Sequence, residues 1–185
     1  MSSSPGTDGP LAVAELERLV REIPDFPRPG IRFRDVTPLL ADPAALRSAV
    51  DLLAAEVEGA GPVDFVVGAE ARGFILGPAL AMRLGAGFVP ARRAGKLPAS
   101  TEGVAYELEY GAAELHVHAD AIPAGARVIV HDDLIATGGT ASAVAELVAR
   151  RGGEIAAFAF LVELPDLGGR AALAAPTHSL LRFAG

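Results

Sequence analysis

The chain contains no cysteine, which removes disulfides, thiolate nucleophiles and cysteine-ligated zinc together. Asn, Gln and Trp are absent as well; missing amides fit a GC-rich coding bias and selection against heat-labile side chains equally. Long hydrophobic runs are lacking: nothing approaches the roughly 20 uninterrupted apolar residues of a membrane span. The first residues show no basic segment followed by an apolar one, so a soluble, unexported, cytoplasmic protein without a membrane partner is expected. Positive charge is scarce too, with 16 Lys and Arg against 23 Asp and Glu and a net charge of −7. General nucleic-acid binders carry a basic surface that displaces counterions from phosphates. No nucleic-acid partner is expected, and any phosphate must be handled locally.

What is present is enough for one core. Of 185 residues 51% are hydrophobic, which suits a single domain. Residues 1–10, rich in Ser, Gly and Pro, read as a disordered lead-in, leaving residues 11–185 as the domain. Leu16, Leu19, Val20 and Ile23 recur at helical spacing, predicting a helix over Leu11 to Ile23 that Pro24, Pro27 and Pro29 stop short of a stiff loop. Asp42-Pro43 is an N-cap with proline at the first helical position, opening an amphipathic run to about Gly59. Beyond it, apolar runs (Val63 to Val67, Gly87 to Ala91, Arg127 to Val130, Ile155 to Val162) alternate with helical patterns (about Phe74 to Leu84 and Thr140 to Arg151). That alternation predicts an α/β fold, a mostly parallel sheet flanked by helices. Ala105 to Tyr110 and Glu114 to His118 look like an antiparallel excursion around Gly111, a candidate lid.

The most informative segment is Val128 to Thr140, VIVHDDLIATGGT. An apolar strand runs into two acids, Asp132 and Asp133, and then a small glycine-bearing loop enters a helix. In open α/β sheets ligands bind at the carboxyl ends of strands. Gly138 and Gly139 let backbone approach a ligand closely, Thr137 and Thr140 offer hydroxyls, and the amides of the following helix suit a phosphate. Adjacent acids repel each other and gain little as structure, but they can hydrogen-bond two ribose hydroxyls or help hold a magnesium-bound sugar. Neither G-x-x-x-x-G-K-[ST] nor G-x-G-x-x-G after a strand occurs, so the nucleotide triphosphatase and dinucleotide-fold readings lose support.

Those thirteen residues resemble the motif by which type I phosphoribosyltransferases bind 5-phosphoribosyl-1-pyrophosphate (PRPP). The resemblance implies Asp132 and Asp133 on the ribose and Ala136, Thr137, Gly138, Gly139 and Thr140 around the 5-phosphate; His131 stands where the pattern has an aliphatic residue, and strand alternation should turn it away from Asp132. Three further segments are similar to the adenine-specific members. Ile23 to Pro38, IPDFPRPGIRFRDVTP, resembles their hood (about residues 11–38), implying Phe33 stacked on the purine and the backbone of Arg32 and Arg34 reading its edge. Gly68 to Phe74, GAEARGF, resembles their pyrophosphate loop, implying Arg72 as an anion ligand and a cis Glu70–Ala71 peptide. Ala91 to Pro98, ARRAGKLP, resembles their basic loop, implying Arg92, Arg93 and Lys96 as pyrophosphate ligands, with Arg93 where many relatives have lysine. Tyr106 to Gly111, YELEYG, completes a flexible loop of about residues 94–112.

The family reaction so implied is purine salvage: adenine and PRPP give AMP and pyrophosphate, with Mg2+ bound to PRPP and no metal ligand supplied directly by the protein. Glu109 is implied as the acid or base near adenine N7, with Tyr110 closing the loop. Glu107 lies two residues away on the same strand face, so spacing alone does not choose between them. A homodimer is implied as well. The alternatives are another base (hypoxanthine, guanine, xanthine or orotate) and a regulator that keeps the PRPP site as a sensor; the latter should carry a basic DNA-binding module, which the short, net-acidic segment before Ile23 does not resemble.

Overall fold

A computed structural model describes residues 9–107 and 112–184. Most of the expected lead-in, and Glu109 and Tyr110, lie outside the described residues. The helix expected over Leu11 to Ile23 is shorter: α1 spans Val13–Arg18, after which β1 (Arg21–Pro24) pairs antiparallel with β2 (Arg32–Asp35). The helical spacing was misleading because Ile23 is set opposite Phe33 in this ribbon, and Arg21 is held to Asp35 by an ion pair of 2.6 Å. Cross-strand partners outweigh a marginal local helix.

A short helix α2 (Thr37–Ala41) leads to α3 (Pro43–Glu56), which is capped as its sequence predicts. The Asp42 carboxylate accepts from the amides of Ala44 and Ala45 at 2.8 and 2.9 Å. Next come β3 (Phe65–Ala69), α4 (Gly73–Leu84), β4 (Gly87–Arg93), β5 (Thr101–Glu107), β6 (Ala112–His118), β7 (Arg127–Ile135), α5 (Gly139–Arg150), β8 (Glu154–Glu163) and β9 (Thr177–Arg182). The main sheet has the order β5-β6-β4-β3-β7-β8-β9. Strands β4, β3, β7, β8 and β9 are parallel, and the β5–β6 hairpin joins β4 antiparallel at one edge. The mostly parallel sheet is therefore as expected, and β9 is a strand that the periodicity of its short sequence did not announce.

Side chains alternate across the sheet into two cores. One packs Leu53, Leu76, Leu80, Ile129 and Leu161 beneath α1 to α4; the other packs Val67, Val128, Val130, Leu147, Phe158 and Phe160 beneath α5. Removing such side chains from water, at about 25 cal/mol per Å2, is the main force holding helices on the sheet. Helix α4 lies especially close, because a Cβ on Gly77 would stand 2.5 Å from the Phe88 ring. That approach brings the loop before α4 down onto the ends of β3 and β7, where the candidate residues meet.

Candidate active site

Because β3, β4 and β7 are parallel neighbours, their carboxyl ends and following loops share one edge of the sheet. Strand β7 does not stop before the acids, as the apolar run suggested; pairing with β8 carries it through Asp132 to Ile135. Its pleat is broken on the way. Ile129 and Ile135 have the same parity yet pack into opposite cores, as do Val130 and Leu134. In a regular strand, residues an even number apart share a face. The change of side falls between Val130 and Leu134, while the register with β8 shifts earlier, between Val128 and Ile129.

After β7 the chain turns at Gly138, whose φ of 84° is left-handed, and enters α5 at Gly139. The loop from Ala136 to Thr140 encloses a small cavity of about 110 Å3 with Arg72, Asp132, Ile135 and Phe160. Unpaired amides of a helix's first turn bear partial positive charge, which suits an anion there. A larger cavity of about 650 Å3 adjoins it, lined by Glu70, Ala71, Arg72, Arg93, Ala94, Tyr106, Ala113, Glu114, Asp132 and Thr140. Arg72, Asp132 and Thr140 line both.

The electrostatics of the border are set by burial. Asp133 is 5% exposed, and its Oδ1 lies 3.2 Å from Arg72 Nε. Its amide donates to Asp132 Oδ1 at 2.9 Å. Burial, reinforced by the charge of Asp133, raises the Asp132 carboxyl to about 7; burial also raises Asp133, against the pull of Arg72. His131 is fully buried, and burial lowers its imidazole to about 4. Its Nδ1 lies 2.9 Å from the Ala159 carbonyl. A carbonyl only accepts, so Nδ1 carries the proton, and Nε2 is buried without a hydrogen-bond partner among the described residues.

The basic residues divide. Arg72 and Arg93 line the larger cavity. Arg92 is engaged instead by Glu70, at 3.3 Å from Nε, and by the Lys96 carbonyl, at 3.0 Å from Nη1. Glu70 also accepts the Arg93 amide at 3.0 Å, the chief cause of its lowered pKa. The Glu70–Ala71 peptide is cis. Lys96 is exposed on the loop. Among the described residues lining the two cavities there is none of Arg32, Phe33 or Arg34. Phe33 packs edge-on against Phe26 at 5.2 Å and belongs to neither core. Sequence reasoning passed over Tyr106, Glu114 and Phe160 as lining residues; Tyr106 lies inside the quoted YELEYG segment, whereas Phe160 is marked by nothing except its place in an apolar strand.

The family model of the phosphoribosyl transferase domain matches residues 35–172. The chain is a phosphoribosyltransferase, and the site at the end of its parallel sheet lies within the matched domain. More narrowly, the chain belongs to the adenine phosphoribosyltransferases. It is 58% identical over 179 residues to the adenine phosphoribosyltransferase of Sorangium cellulosum, covering 94% of this chain and 89% of that one. The solved enzyme of Thermoanaerobacter pseudethanolicus superposes with a TM-score of 0.90 at 47% identity, covering 93% of this chain and 100% of that one. The Saccharomyces cerevisiae enzyme, solved with an imino-altritol bisphosphate and adenine, has a TM-score of 0.88 at 42% identity, covering 91% and 98%.

Proposed function

We propose that the two adjoining cavities form a single active site in which PRPP lies across the border made by Arg72, Asp132 and Thr140. The chain catalyses the reaction of its family, transfer of the 5-phosphoribosyl group of PRPP to adenine with formation of AMP and pyrophosphate in purine salvage. The observation that carries the placement is that shared border: an anion cradle on one side, a larger arginine-lined space on the other, and a carboxylate between them.

In this reading the 5-phosphate sits on Ala136, Thr137, Gly138, Gly139 and Thr140, and Asp132 and Asp133 accept hydrogen bonds from the ribose hydroxyls. Cleavage of the bond from C1 to pyrophosphate builds positive charge on the ribose and negative charge on the leaving group. The acids stabilise the first, and Arg72 and Arg93 the second. Arg92 braces the basic loop through Glu70, and Lys96 adds local positive charge to a chain whose net charge is −7. The carboxylate of Asp132 is the hard oxygen donor that magnesium prefers, so a PRPP-borne ion fits beside it. Such an ion would neutralise pyrophosphate charge.

The hood supplies the base site: Phe33, outside both cores, offers a face to the purine. Arg32 and Arg34, two apart in β2, present their backbone groups to one common edge. Donor and acceptor pattern then separates a 6-amino from a 6-oxo purine. Glu109 exchanges the proton at the purine edge and Tyr110 closes the loop; replacing Glu109 by Gln should lower turnover roughly 100-fold or more with PRPP binding kept. Unchanged turnover would transfer the role to Glu107. The chain acts as a homodimer in the cytoplasm; among the described residues no helix is long and apolar enough to cross a membrane.

The decisive assay is AMP formation from adenine, PRPP and magnesium, beside guanine, hypoxanthine and orotate. Product from adenine alone is expected. Turnover of another base would overturn the hood assignment, and PRPP binding without turnover of any base would favour a sensor.

A further inference from the structure

The segment between β8 and β9 takes no part in the reaction as derived above, yet it meets the phosphate loop where the two backbones are closest. A short helical turn, Gly169–Ala172, lies beneath the loop. The Gly169 amide donates to the Ala136 carbonyl at 3.0 Å. A Cβ on Gly138 would stand 2.6 Å from the Gly169 carbonyl oxygen and 3.3 Å from the Ala172 side chain. A Cβ on Gly169 would collide with the Ala136 carbonyl and reach 2.8 Å from the Gly138 amide nitrogen. Ser142, in the first turn of α5, donates to the Ala172 carbonyl at 3.4 Å. The loop thus rests backbone on backbone, with no room for a side chain on either partner.

The next residue locks that turn in place. Arg170 spans the Glu163 carboxylate with Nε to Oε1 at 2.9 Å and Nη2 to Oε2 at 2.5 Å. It also donates to the Thr177 carbonyl and, at 3.3 Å, to Ser179 Oγ. Arg182 adds an ion pair of 3.3 Å to the same carboxylate. Glu163, at the carboxyl end of β8, is 4% exposed, and Arg170 is the main reason its pKa is lowered. Forked, partly buried pairs of this kind are among the stronger and more directional contacts in proteins. A lysine cannot reproduce the planar fork.

We propose that Gly169 and Arg170 form a buttress that sets the shape of the phosphate loop, and hence its affinity for the 5-phosphate, with the Arg170–Glu163 pair holding Gly169 against Ala136 and Gly138. The inference rests on the assignment of residues 136–140 to the 5-phosphate. Neither residue touches substrate; both are positioning residues. Their effect belongs to PRPP and spares adenine, whose site lies in the hood.

The test compares steady-state kinetics in each substrate, with thermal melting alongside, for four variants of the full chain. Gly169→Ala should raise KM for PRPP about tenfold or more while KM for adenine stays within about twofold, since small displacements of a binding loop are costly. Arg170→Lys should shift the same constant in the same direction by less, and it carries the test should Gly169→Ala fail to fold. Gly168→Ala is the internal control: Gly168 has a φ of +69°, but among the described residues beyond its chain neighbours no atom lies within 4 Å of an added Cβ. It should lower the melting temperature and leave KM for PRPP alone. The double variant Thr137→Ala/Thr140→Ala alters the loop itself and must raise KM for PRPP if the assignment of the loop holds. An unchanged KM in this double variant would overturn that assignment and the buttress with it. A raised KM there with none in Gly169→Ala or Arg170→Lys would overturn the buttress alone, and so would an equal rise in Gly168→Ala.

Discussion

His131 and Asp132 are neighbours whose burial acts on stability in opposite directions. Neutral in the fold, with its pKa lowered to about 4, His131 takes up a proton more readily when unfolded. The unfolded state then binds more protons between about pH 4 and 6.5, so this residue makes stability rise with pH and fall as acid is added. Asp132, raised to about 7, holds its proton in the fold over much the same range, so its contribution falls as pH rises. Asp133, raised by the same burial, adds to the slope of Asp132, and His131 works against the pair. Replacing His131 by Leu should steepen the fall of stability from pH 4 to 7, by up to about 3 kcal/mol for the histidine's shift, and replacing Asp132 by Asn should make that fall shallower. Denaturant melts across that window measure both, and parallel curves for the two variants would refute the argument. On the proposed assignment of Asp132 to the ribose hydroxyls, the ionised acid accepts two such bonds better than its protonated form, so kcat/KM for PRPP should climb with pH through about 7.

Among the elements, the hood is held from an unexpected quarter. The side chain of Arg34, whose backbone is assigned to the purine, pairs with Glu22 at 2.5 Å and donates to the Ala184 carbonyl at 2.7 Å. Its guanidinium lies 4.9 Å from the centroid of the Phe183 ring, and the Phe183 amide is bonded to the Glu163 carbonyl at 3.1 Å. The residues after β9 therefore anchor the β1–β2 ribbon, to which the base site is assigned in the proposal, to the sheet. Replacing Phe183 by Ala removes the stacked face, and KM for adenine should rise roughly threefold or more on cation–π magnitudes, with little change for PRPP. Equal rises in both constants would make Phe183 a general stabiliser and nothing more. The same element shows why the helix expected over Leu11 to Ile23 ends early: its last apolar residue is claimed by a partner strand beyond the prolines.

For the molecule as a whole, what could be read from the chain was what near neighbours decide. Asp42-Pro43 starts a helix because the cap and the amides it satisfies are three residues apart or fewer. Alternating apolar runs and helical patterns imply a parallel sheet, and the DDLIATGGT segment places acids, glycines and a helix start in one short stretch, so the candidate phosphate site was legible. Distant partners left no such local mark. The run of β7 through the acids depends on β8, and the slip in its pleat on packing from both sides of the sheet. Arg92 is drawn to Glu70, Arg72 to Asp133 and Gly169 to Ala136 by folding alone. By itself the sequence determined the alternation of strands and helices from α3 to β8 and the residue types at the site, because periodicity, capping and turn chemistry act over a few residues. Only the tertiary structure decided which arginines face the cavity, how deeply the acid pair is buried and what packs against the loop of residues 136–140, because these depend on burial and on contacts between segments far apart in the chain.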